Sequence, residues 1–229
     1  MRKLAIVGYG KMGKLIEQLA PEYDFEVALK LDEFNNVNGS GLNAANFRGV
    51  DVAIEFSIPS AVAANVAGIA AHGVPVVVGT TGWLEQLAQV RETVRQQDTG
   101  LVWSPNFSIG VNVFFRLVAE AARLLSTEPA YGSWAWEIHH SAKKDAPSGT
   151  LLKLVDEMKK AGYTRNIDVG SNRAGAIPGT HEIGFDSAAD TITLRHTARS
   201  REGFARGALK AADWLVGKKG FYEFSEIEF

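Results

Sequence analysis

The sequence lacks cysteine, a marked net charge and any long apolar run. Without cysteine, the chain has no disulfide bonds, no thiolate nucleophile and no cysteine-based metal site. No apolar run reaches the roughly 18 residues of a membrane span, so no membrane partner is expected. The formal net charge is -2 at pH 7, which argues against a dedicated nucleic-acid-binding protein.

The composition that is present is typical of a globular protein, with 46% hydrophobic and 22% charged residues. A chain of 229 residues is longer than the usual domain of about 100 to 150 residues, so one large domain or two modest ones are expected. The first residues run straight into a strand-like segment and do not resemble a signal peptide. We therefore expect a cytoplasmic protein.

The first hundred residues alternate short apolar runs with helical patterns, which indicates parallel strands joined by helical crossovers. This pattern predicts a doubly wound parallel sheet. The predicted strands are at 4–7, 26–31, 50–56, 74–78 and 101–104, and the predicted helices at 12–20, 59–71 and 84–97.

The pattern changes after Phe107. Two later segments alternate as antiparallel strands do, so we predict a smaller α+β domain with a mostly antiparallel sheet over residues 108–203. The predicted strands here are at 134–140, 180–185 and 190–196, and the predicted helices of this part and beyond are at 111–125, 151–160 and 204–216.

A glycine fingerprint of the form G-x-G-x-x-G spans Gly8 to Gly13, directly after the first strand and at the start of a helix. Gly8 permits a tight turn, Gly10 lets the backbone approach a pyrophosphate, and Gly13 lets the helix pack closely on the strand. The pyrophosphate would bind the amide groups at the positive end of that helix. The fingerprint therefore predicts a Rossmann-like dinucleotide-binding domain.

Asp32 follows the second predicted strand, where an acidic residue binds the adenosine ribose of a dinucleotide. Glu33 stands where an arginine would be expected for the 2′-phosphate of NADPH, which favours NADH. Lys11 and Lys30 could still reach a 2′-phosphate, so both cofactors stay open. The alternative interpretation is a glycine-rich turn with an acidic surface residue nearby.

A second cluster of reactive side chains lies between residues 137 and 150 and includes His139, His140 and Lys143. The adjacent histidines on a strand would point to opposite faces. A histidine titrates near neutral pH and can act as a general acid, and a lysine supplies positive charge or a proton. Residues 147–150 open a helix whose first amides would bind an anion. The cluster predicts a site for an acidic substrate that must receive a proton.

The cluster has two other interpretations. It could be a solvated loop in which Ser148 or Asp145 only caps the helix. The histidine pair could also bind zinc, but the sequence has no His-x-x-x-His spacing and no cysteine, so no metal is expected.

The cluster resembles the signature of the dihydrodipicolinate reductase family, whose members are also called 4-hydroxy-tetrahydrodipicolinate reductases. The resemblance covers nearly the whole chain and includes several independent motifs in the same order. These are Gly8–Gly13, Gly79–Gly82, Asn106–Asn112, Glu137–Lys143, Asp145–Thr150, Arg173–Gly175 with Gly179 and His181, and the final helix.

The resemblance implies NADH- or NADPH-dependent reduction of 4-hydroxy-tetrahydrodipicolinate to tetrahydrodipicolinate, in the diaminopimelate route to lysine. It implies that His139 is the proton donor or acceptor and that Lys143 is a second proton donor. The implied contacts to the substrate carboxylates are His140, Lys143, Ser148, Gly149 and Thr150. The implied cofactor contacts are Gly8, Tyr9, Gly10, Lys11, Met12, Gly13, Asp32, Gly79, Thr80, Thr81, Ser104, Pro105, Asn106 and Phe107.

The resemblance also implies that the segment 204–229 returns to the cofactor domain, residues 1–107. Residues 108–203 would then bind the substrate and form a homotetramer through their sheet. The chain departs from many relatives at Ser104-Pro105, at Ile138 and in a shorter segment over 163–172. The first departure concerns the nicotinamide contacts, and the third concerns loop closure and subunit contacts.

The remaining histidines, His72, His181 and His196, are predicted to be structural. His181 receives this interpretation because it begins an alternating strand and stands apart from the reactive cluster in the sequence. Two rival functions remain at this point. One is another two-domain NAD(P)-dependent dehydrogenase, and the other is a dinucleotide sensor without catalytic activity.

Overall fold

A computed structural model describes residues 1–227 and divides the chain into two compact units. The first comprises Met1–Ser108 with the described part of Phe204–Phe229, and the second comprises Ile109–Gly203. Residues 228 and 229, the end of the predicted returning segment, lie outside the described residues. Within residues 1–227, no helix is both long and apolar enough to cross a membrane.

The described residues form ten strands and six α-helices. The strands are β1 (Arg2–Val7), β2 (Phe25–Leu31), β3 (Val52–Glu55), β4 (Val76–Val78), β5 (Gly100–Trp103), β6 (Gly132–His139), β7 (Ile167–Arg173), β8 (Thr180–Asp186), β9 (Thr191–Thr197) and β10 (Gly220–Glu223). The helices are α1 (Lys11–Leu19), α2 (Val62–Ala70), α3 (Leu87–Gln96), α4 (Ile109–Leu125), α5 (Gly149–Lys160) and α6 (Glu202–Leu215). Single 3-10 turns at Pro59–Ala61 and Leu84–Gln86 lead into α2 and α3, so these α-helices begin a turn later than predicted.

The described part of the first unit holds a six-stranded parallel sheet with the order β10-β5-β4-β3-β1-β2. Its central strands are apolar runs that are buried on both faces, as in β4 and in Leu4–Val7. β2 and β3 lie on opposite sides of β1, so the strand order reverses there. Open α/β sheets bind ligands beside the carboxyl ends of the strands at such a reversal.

The C-terminal part of the chain completes this sheet. β10 pairs in parallel with β5, with Gly220 opposite Gly100 and Glu223 opposite Trp103. α6 packs so closely that a Cβ atom at Gly207 would overlap the carbonyl oxygen of Phe107. Only glycine permits this approach. The sequence prediction did not include β10.

The second unit is built on a four-stranded mixed sheet within the described residues, with the order β7-β6-β8-β9. β6 is parallel to β7 and antiparallel to β8, and β8 is antiparallel to β9. Ala135, Ile183 and Phe185 pack with residues of α4 and α5 in one apolar core. Trp134 and Trp136 alternate with the core residues of β6, point to the opposite face and are half-buried.

The predicted fold class is confirmed, because a parallel doubly wound sheet is followed by an α+β unit with a mostly antiparallel sheet. The sequence did not predict β7, whose parallel pairing with β6 makes this sheet mixed.

Candidate active site

The first unit brings the predicted cofactor residues to the carboxyl ends of its parallel strands. Gly8–Gly10 connect β1 to α1, and Asp32 directly follows β2. Gly79–Thr81 follow β4, and Ser104–Phe107 follow β5. Because all these strands are parallel, the four segments share one edge of the sheet.

The glycine loop has the geometry that a pyrophosphate needs. Gly8 has φ +98, and a Cβ atom there would overlap the backbone of Phe56. A Cβ atom at Gly13 would lie 2.6 Å from the carbonyl oxygen of Gly8, whereas one at Gly10 would meet no heavy atom within 4 Å among the described residues. Gly10 is the N-cap of α1, and no side chain of the described chain caps it. The first amides of α1 are therefore open to an anion, so this loop fits a dinucleotide.

The Asp32 carboxylate is held by its own turn. Its Oδ1 accepts hydrogen bonds from the amides of Phe34 at 2.9 Å and Asn35 at 3.2 Å. The amides of Gly8 and Tyr9 donate to the carbonyl of Leu31, the residue before Asp32, at 2.8 and 3.0 Å. The end of β2 and the glycine loop are thus fixed to each other.

Lys30, a possible contact for a 2′-phosphate, is already engaged. Its Nζ lies 3.0 Å from Oε1 of Glu17, and the Tyr9 hydroxyl donates to the other oxygen of the same carboxylate. Lys30 also stands 5.1 Å from the centre of the Tyr9 ring. Its positive charge is therefore largely compensated.

The loops after β3, β4 and β5 are held by polar contacts. The Ser57 amide donates to Oγ1 of Thr80 at 2.8 Å. The Ser104 hydroxyl donates to the Asn106 carbonyl at 2.8 Å, and Oδ1 of Asn106 accepts from the Ser108 amide at 2.9 Å. Oδ1 of Asn106 is thus used to stabilise its own turn.

Sequence reasoning missed a buried acid beneath this edge, Glu55 at the end of β3. It is fully buried and accepts hydrogen bonds from Ser57 and from Asn65. Burial raises its pKa, although these hydrogen bonds oppose the shift. An acidic residue that ends an apolar strand run is the signal that could have revealed it.

In the second unit, strand register assembles a cluster around β6. Glu137 and His139 are two residues apart on β6 and point to the same buried face. Glu137 stands opposite Ser171 of β7 and His181 of β8, and His139 stands opposite Arg173 of β7. Residues far apart in the sequence therefore meet on one face of the sheet.

Glu137 is the centre of this cluster and is fully buried. Oε1 accepts hydrogen bonds from the Ser148 amide at 2.8 Å, from the Ser171 hydroxyl at 2.8 Å and from Nη2 of Arg173 at 2.9 Å. Oε2 accepts from the Ser148 hydroxyl. Burial raises the pKa of Glu137, but the hydrogen bonds from Ser148, Ser171 and Arg173 outweigh burial and lower this pKa to about 2. Glu137 is thus an anion at neutral pH.

Two histidines lie against the same carboxylate. Nε2 of His181 is 3.3 Å and Nδ1 of His139 is 3.5 Å from Oε2 of Glu137. The two rings are 5.0 Å apart between centroids. Burial lowers the pKa of His139, and burial together with the neighbouring His139 lowers the pKa of His181 to about 4. Both imidazoles are therefore mainly neutral at pH 7.

The prediction that His181 stands apart from the reactive cluster is wrong. The pairing of β8 with β6 puts His181 opposite Glu137, and its Nε2 is also 3.3 Å from the Ser148 hydroxyl. Sequence separation hid this contact. Ser171 and Arg173 were also missed as members of the cluster. Glu137 was included in it but was given no role, although its spacing from His139 on one strand could have indicated that the two side chains share a face.

The segment between β6 and α5 carries the other predicted residues. His140 directly follows β6 and is half-buried. Nζ of Lys143 lies 2.8 Å from Oδ1 of Asp145. Nη2 of Arg173 donates to the Asp145 carbonyl, which ties the segment to β7.

Ser148, Gly149 and Thr150 form the start of α5. The Ser148 hydroxyl accepts from the Leu151 amide at 3.2 Å and so caps the helix. Because its amide and hydroxyl both donate to Glu137, the direct substrate contact predicted for Ser148 lacks a free donor. Gly149 is exposed, and a Cβ atom there would meet no described heavy atom within 4 Å. Thr150 is half-buried.

Glu137, His139 and His181 also offer ligand atoms within 4.8 Å of one another, a spacing that a metal ion could use. This group was not expected from the sequence, which predicted no metal site. The guanidinium of Arg173 already neutralises the carboxylate. We therefore interpret the group as a hydrogen-bonded acid and histidine cluster.

A parallel nucleotide-binding sheet combined with a second unit that carries an acid, histidine and lysine site defines the class of two-domain oxidoreductases. Family models identify the family. The model for the N-terminus of dihydrodipicolinate reductase matches residues 2–107, and the model for its C-terminus matches residues 110–227. The chain belongs to the dihydrodipicolinate reductase family.

Relatives agree with this assignment. The chain is 37% identical to a 4-hydroxy-tetrahydrodipicolinate reductase of Christiangramia forsetii, over 98% of this chain and 96% of the relative. It is 33% identical to the reductase of the same name from Methanosarcina mazei, over 99% of each chain. A solved structure of dipicolinate-bound dihydrodipicolinate reductase from Paenisporosarcina sp. TG-14 covers 100% of both chains with a TM-score of 0.82 and 23% identity, which supports the fold.

Proposed function

We propose that this protein reduces 4-hydroxy-tetrahydrodipicolinate to tetrahydrodipicolinate in the diaminopimelate route to lysine. A nicotinamide nucleotide would be the reductant, and the 4-hydroxyl group would leave as water. Family membership supports the reaction class. The position of His139 carries the assignment of residues. It lies at the end of β6, with Nδ1 3.5 Å from the buried carboxylate of Glu137.

The first unit would hold the cofactor, which supplies a hydride when bound. The amides at the start of α1 would bind the pyrophosphate, with Gly10 giving close approach. The predicted nicotinamide contacts stay Gly79–Thr81 and Ser104–Phe107, at the ends of β4 and β5.

NADH is the preferred cofactor in this proposal. Oδ2 of Asp32 would accept hydrogen bonds from the ribose hydroxyls, while Oδ1 keeps its turn in place. The same carboxylate would repel a 2′-phosphate. Lys30, which could attract that phosphate, is paired with Glu17. Lys11 remains exposed at the start of α1.

The second unit would bind the dicarboxylate substrate and handle its protons. Lys143, His140 and the start of α5 at Gly149 and Thr150 would neutralise the carboxylates. His139 would take up a proton and deliver it to the reduced substrate, with Lys143 as the second proton donor.

The proposal extends to assembly and location. The face of the second sheet that carries Trp134 and Trp136 would join subunits into a homotetramer, because large half-buried aromatic side chains are typical of interfaces. Since the reaction consumes a reduced nicotinamide nucleotide, we propose a cytoplasmic location.

A coupled assay tests the function. Purified dihydrodipicolinate synthase would generate the substrate, and oxidation of NADH and of NADPH would be followed by absorbance. We expect turnover with both cofactors and a higher kcat/KM with NADH. Turnover of other keto or imino acids without turnover of the synthase product would instead favour a different dehydrogenase. Cofactor binding without any turnover would favour a sensor.

A further inference from the structure

The proposed chemistry uses His139 and Lys143 and leaves the buried carboxylate of Glu137 without a role. Such a group is unusual because a buried charge is costly unless it is paired and hydrogen-bonded. The chain compensates Glu137 from three directions, with Ser148 before α5, Ser171 and Arg173 on β7, and His181 on β8. Its position and its charge are therefore both fixed.

The orientation of the His139 ring relates this fixed charge to proton transfer. Nδ1 is enclosed by protein, has no hydrogen-bond partner within residues 1–227, and lies 3.5 Å from Oε2 of Glu137. Nε2 lies on the other side of the ring, beside Gly179. A Cβ atom at Gly179 would approach Nε2 to 2.9 Å, so a side chain at this position would crowd that nitrogen.

An anion next to Nδ1 has two consequences for the imidazole. It favours the neutral tautomer whose hydrogen is on Nδ1, which leaves the lone pair on Nε2. It also stabilises the imidazolium when Nε2 takes up a proton. Both effects direct proton exchange to the nitrogen beside Gly179.

We propose that Glu137 is a positioning residue that acts through His139, because its carboxylate keeps the hydrogen on Nδ1 and thereby makes Nε2 the nitrogen that exchanges the substrate proton. The substrate part of this inference rests on the proposed function. The tautomer of His139 does not rest on it, since the protein sets the tautomer without ligands.

Other charged and titratable groups also face His139, and the test must separate their effects. Lys143 and Asp145 approach from the segment after β6, Arg173 from β7 and His181 from β8. Burial lowers the pKa of His139 most, Glu137 raises it, and Lys143 and Arg173 lower it. Removing the charge of Glu137 while keeping its size should therefore lower this pKa further.

The test is nitrogen-15 NMR of histidine-labelled protein without cofactor or substrate. In the wild type, His139 should show the tautomer with hydrogen on Nδ1. In Glu137→Gln, the pKa of His139 should fall and its tautomer should change. Glu182→Gln is the matched control, since Glu182 is the neighbour of His181 on the opposite face of β8. It should leave His139 unchanged.

Two results would overturn the proposal. One is a wild-type His139 with its hydrogen on Nε2, a measurement that needs no variant. The other is a folded Glu137→Gln protein in which the pKa and the tautomer of His139 are those of the wild type, as a purely structural role for Glu137 would give.

Turnover adds a second readout. If a protonated His139 delivers the proton, kcat falls as the pH rises through the pKa of His139, and in Glu137→Gln this fall should occur at lower pH. We expect about a tenfold or greater loss of kcat with a smaller change of KM. Absence of wild-type turnover with the expected tautomer would reject the proposed function and leave the positioning of His139 supported. Glu137→Asp keeps the charge and should partly restore the pH profile.

Discussion

Asp32 divides its two carboxylate oxygens between its own turn and the proposed ribose contact. Loss of the ribose contact should cost about 1.5 kcal/mol, or roughly tenfold in Kd. Asp32→Ala should therefore weaken the binding of NADH by that factor. It should weaken the binding of NADPH by less, because the lost carboxylate also repelled the 2′-phosphate. Fluorescence titration of both cofactors measures this difference.

The neighbouring Glu33 is exposed and supplies a control. Glu33→Ala should bind NADH as the wild type does and NADPH more tightly, because Glu33 stands at the position expected to face the 2′-phosphate. Asp32→Asn should keep the turn through Oδ1 and separate a loss of charge from a loss of loop structure. Equal losses for NADH and NADPH in Asp32→Ala would count against the ribose contact.

Single substitutions within the second unit should distinguish the residues that transfer protons from those that bind the substrate. His139→Gln and Lys143→Met should each lower kcat about a hundredfold or more, as typical losses of a general acid do. Thr150→Val should mainly raise KM for the substrate, because a carboxylate contact is made in both the ground state and the transition state. Steady-state kinetics on the three variants, together with the Kd for NADH, measure this. A near-normal kcat for His139→Gln would reject His139 and make His140 the residue to test.

The depressed pKa of His181 predicts acid sensitivity of the fold. The pKa of a histidine in the unfolded chain is about 6.5, whereas the pKa of folded His181 is about 4. Between these values the unfolded chain binds the proton more strongly, so this contribution to stability is lost as the pH falls from about 6.5 to about 4. The free energy of unfolding of His181→Asn should therefore decline less over this range than that of the wild type. Urea denaturation at several pH values gives the comparison, and equal declines would show that His181 carries no such linkage.

At the scale of helices and strands, the sequence allowed prediction of those elements whose residues are uniformly apolar or strongly periodic. β1, β3 and β4 are examples, because strands buried on both faces need apolar residues throughout. β7 was missed because its sequence is polar and half-exposed, as suits a strand at the sheet edge. β10 was missed because it has four residues and follows the last helix.

The site residues could be predicted from the sequence where they lie close together along the chain. His139, His140, Lys143 and the start of α5 lie within one segment, so their pattern could be interpreted directly. The contact of Glu137 with His181 depends on the register of β6 and β8, and that of Arg173 depends on a strand that was not predicted. A single sequence contains no direct record of register between distant strands.

The junction of β1 and α1 gives a matched pair of glycine variants. A Cβ atom at Gly10 meets no described protein atom, whereas one at Gly13 would lie 2.6 Å from the Gly8 carbonyl oxygen. Gly10→Ala should therefore keep the melting temperature close to that of the wild type and weaken NADH about tenfold or more, because the methyl group would face the pyrophosphate. Gly13→Ala should lower the melting temperature by several degrees, because α1 must move away from β1. Thermal unfolding and NADH titration test both, and unchanged NADH binding in Gly10→Ala would contradict the loop assignment.

At the scale of the whole molecule, the open face of the second sheet predicts assembly. Trp134 covers Gly184, where a Cβ atom would overlap its ring, and Nε1 of Trp136 donates to Oδ1 of Asn172 at 2.7 Å. The wild type should sediment as a tetramer, and Trp134→Glu should sediment as a smaller species because it would bury a charge at the interface. Leu84→Glu, at an exposed position of the first unit, is the control and should stay tetrameric. A monomeric wild type would reject the proposed interface.

The return of the chain to its first unit has a consequence for synthesis on the ribosome. The second unit is one continuous stretch, Ile109–Gly203, and can fold as soon as it has emerged. The first unit must wait for α6 and β10, because α6 packs against Phe107 and β10 covers β5. A nascent chain that stops near residue 203 would carry an exposed β5 edge and an unsupported Phe107 loop. Nucleotide binding is thus expected to develop last, and an incomplete chain would present a bare strand edge to chaperones and proteases.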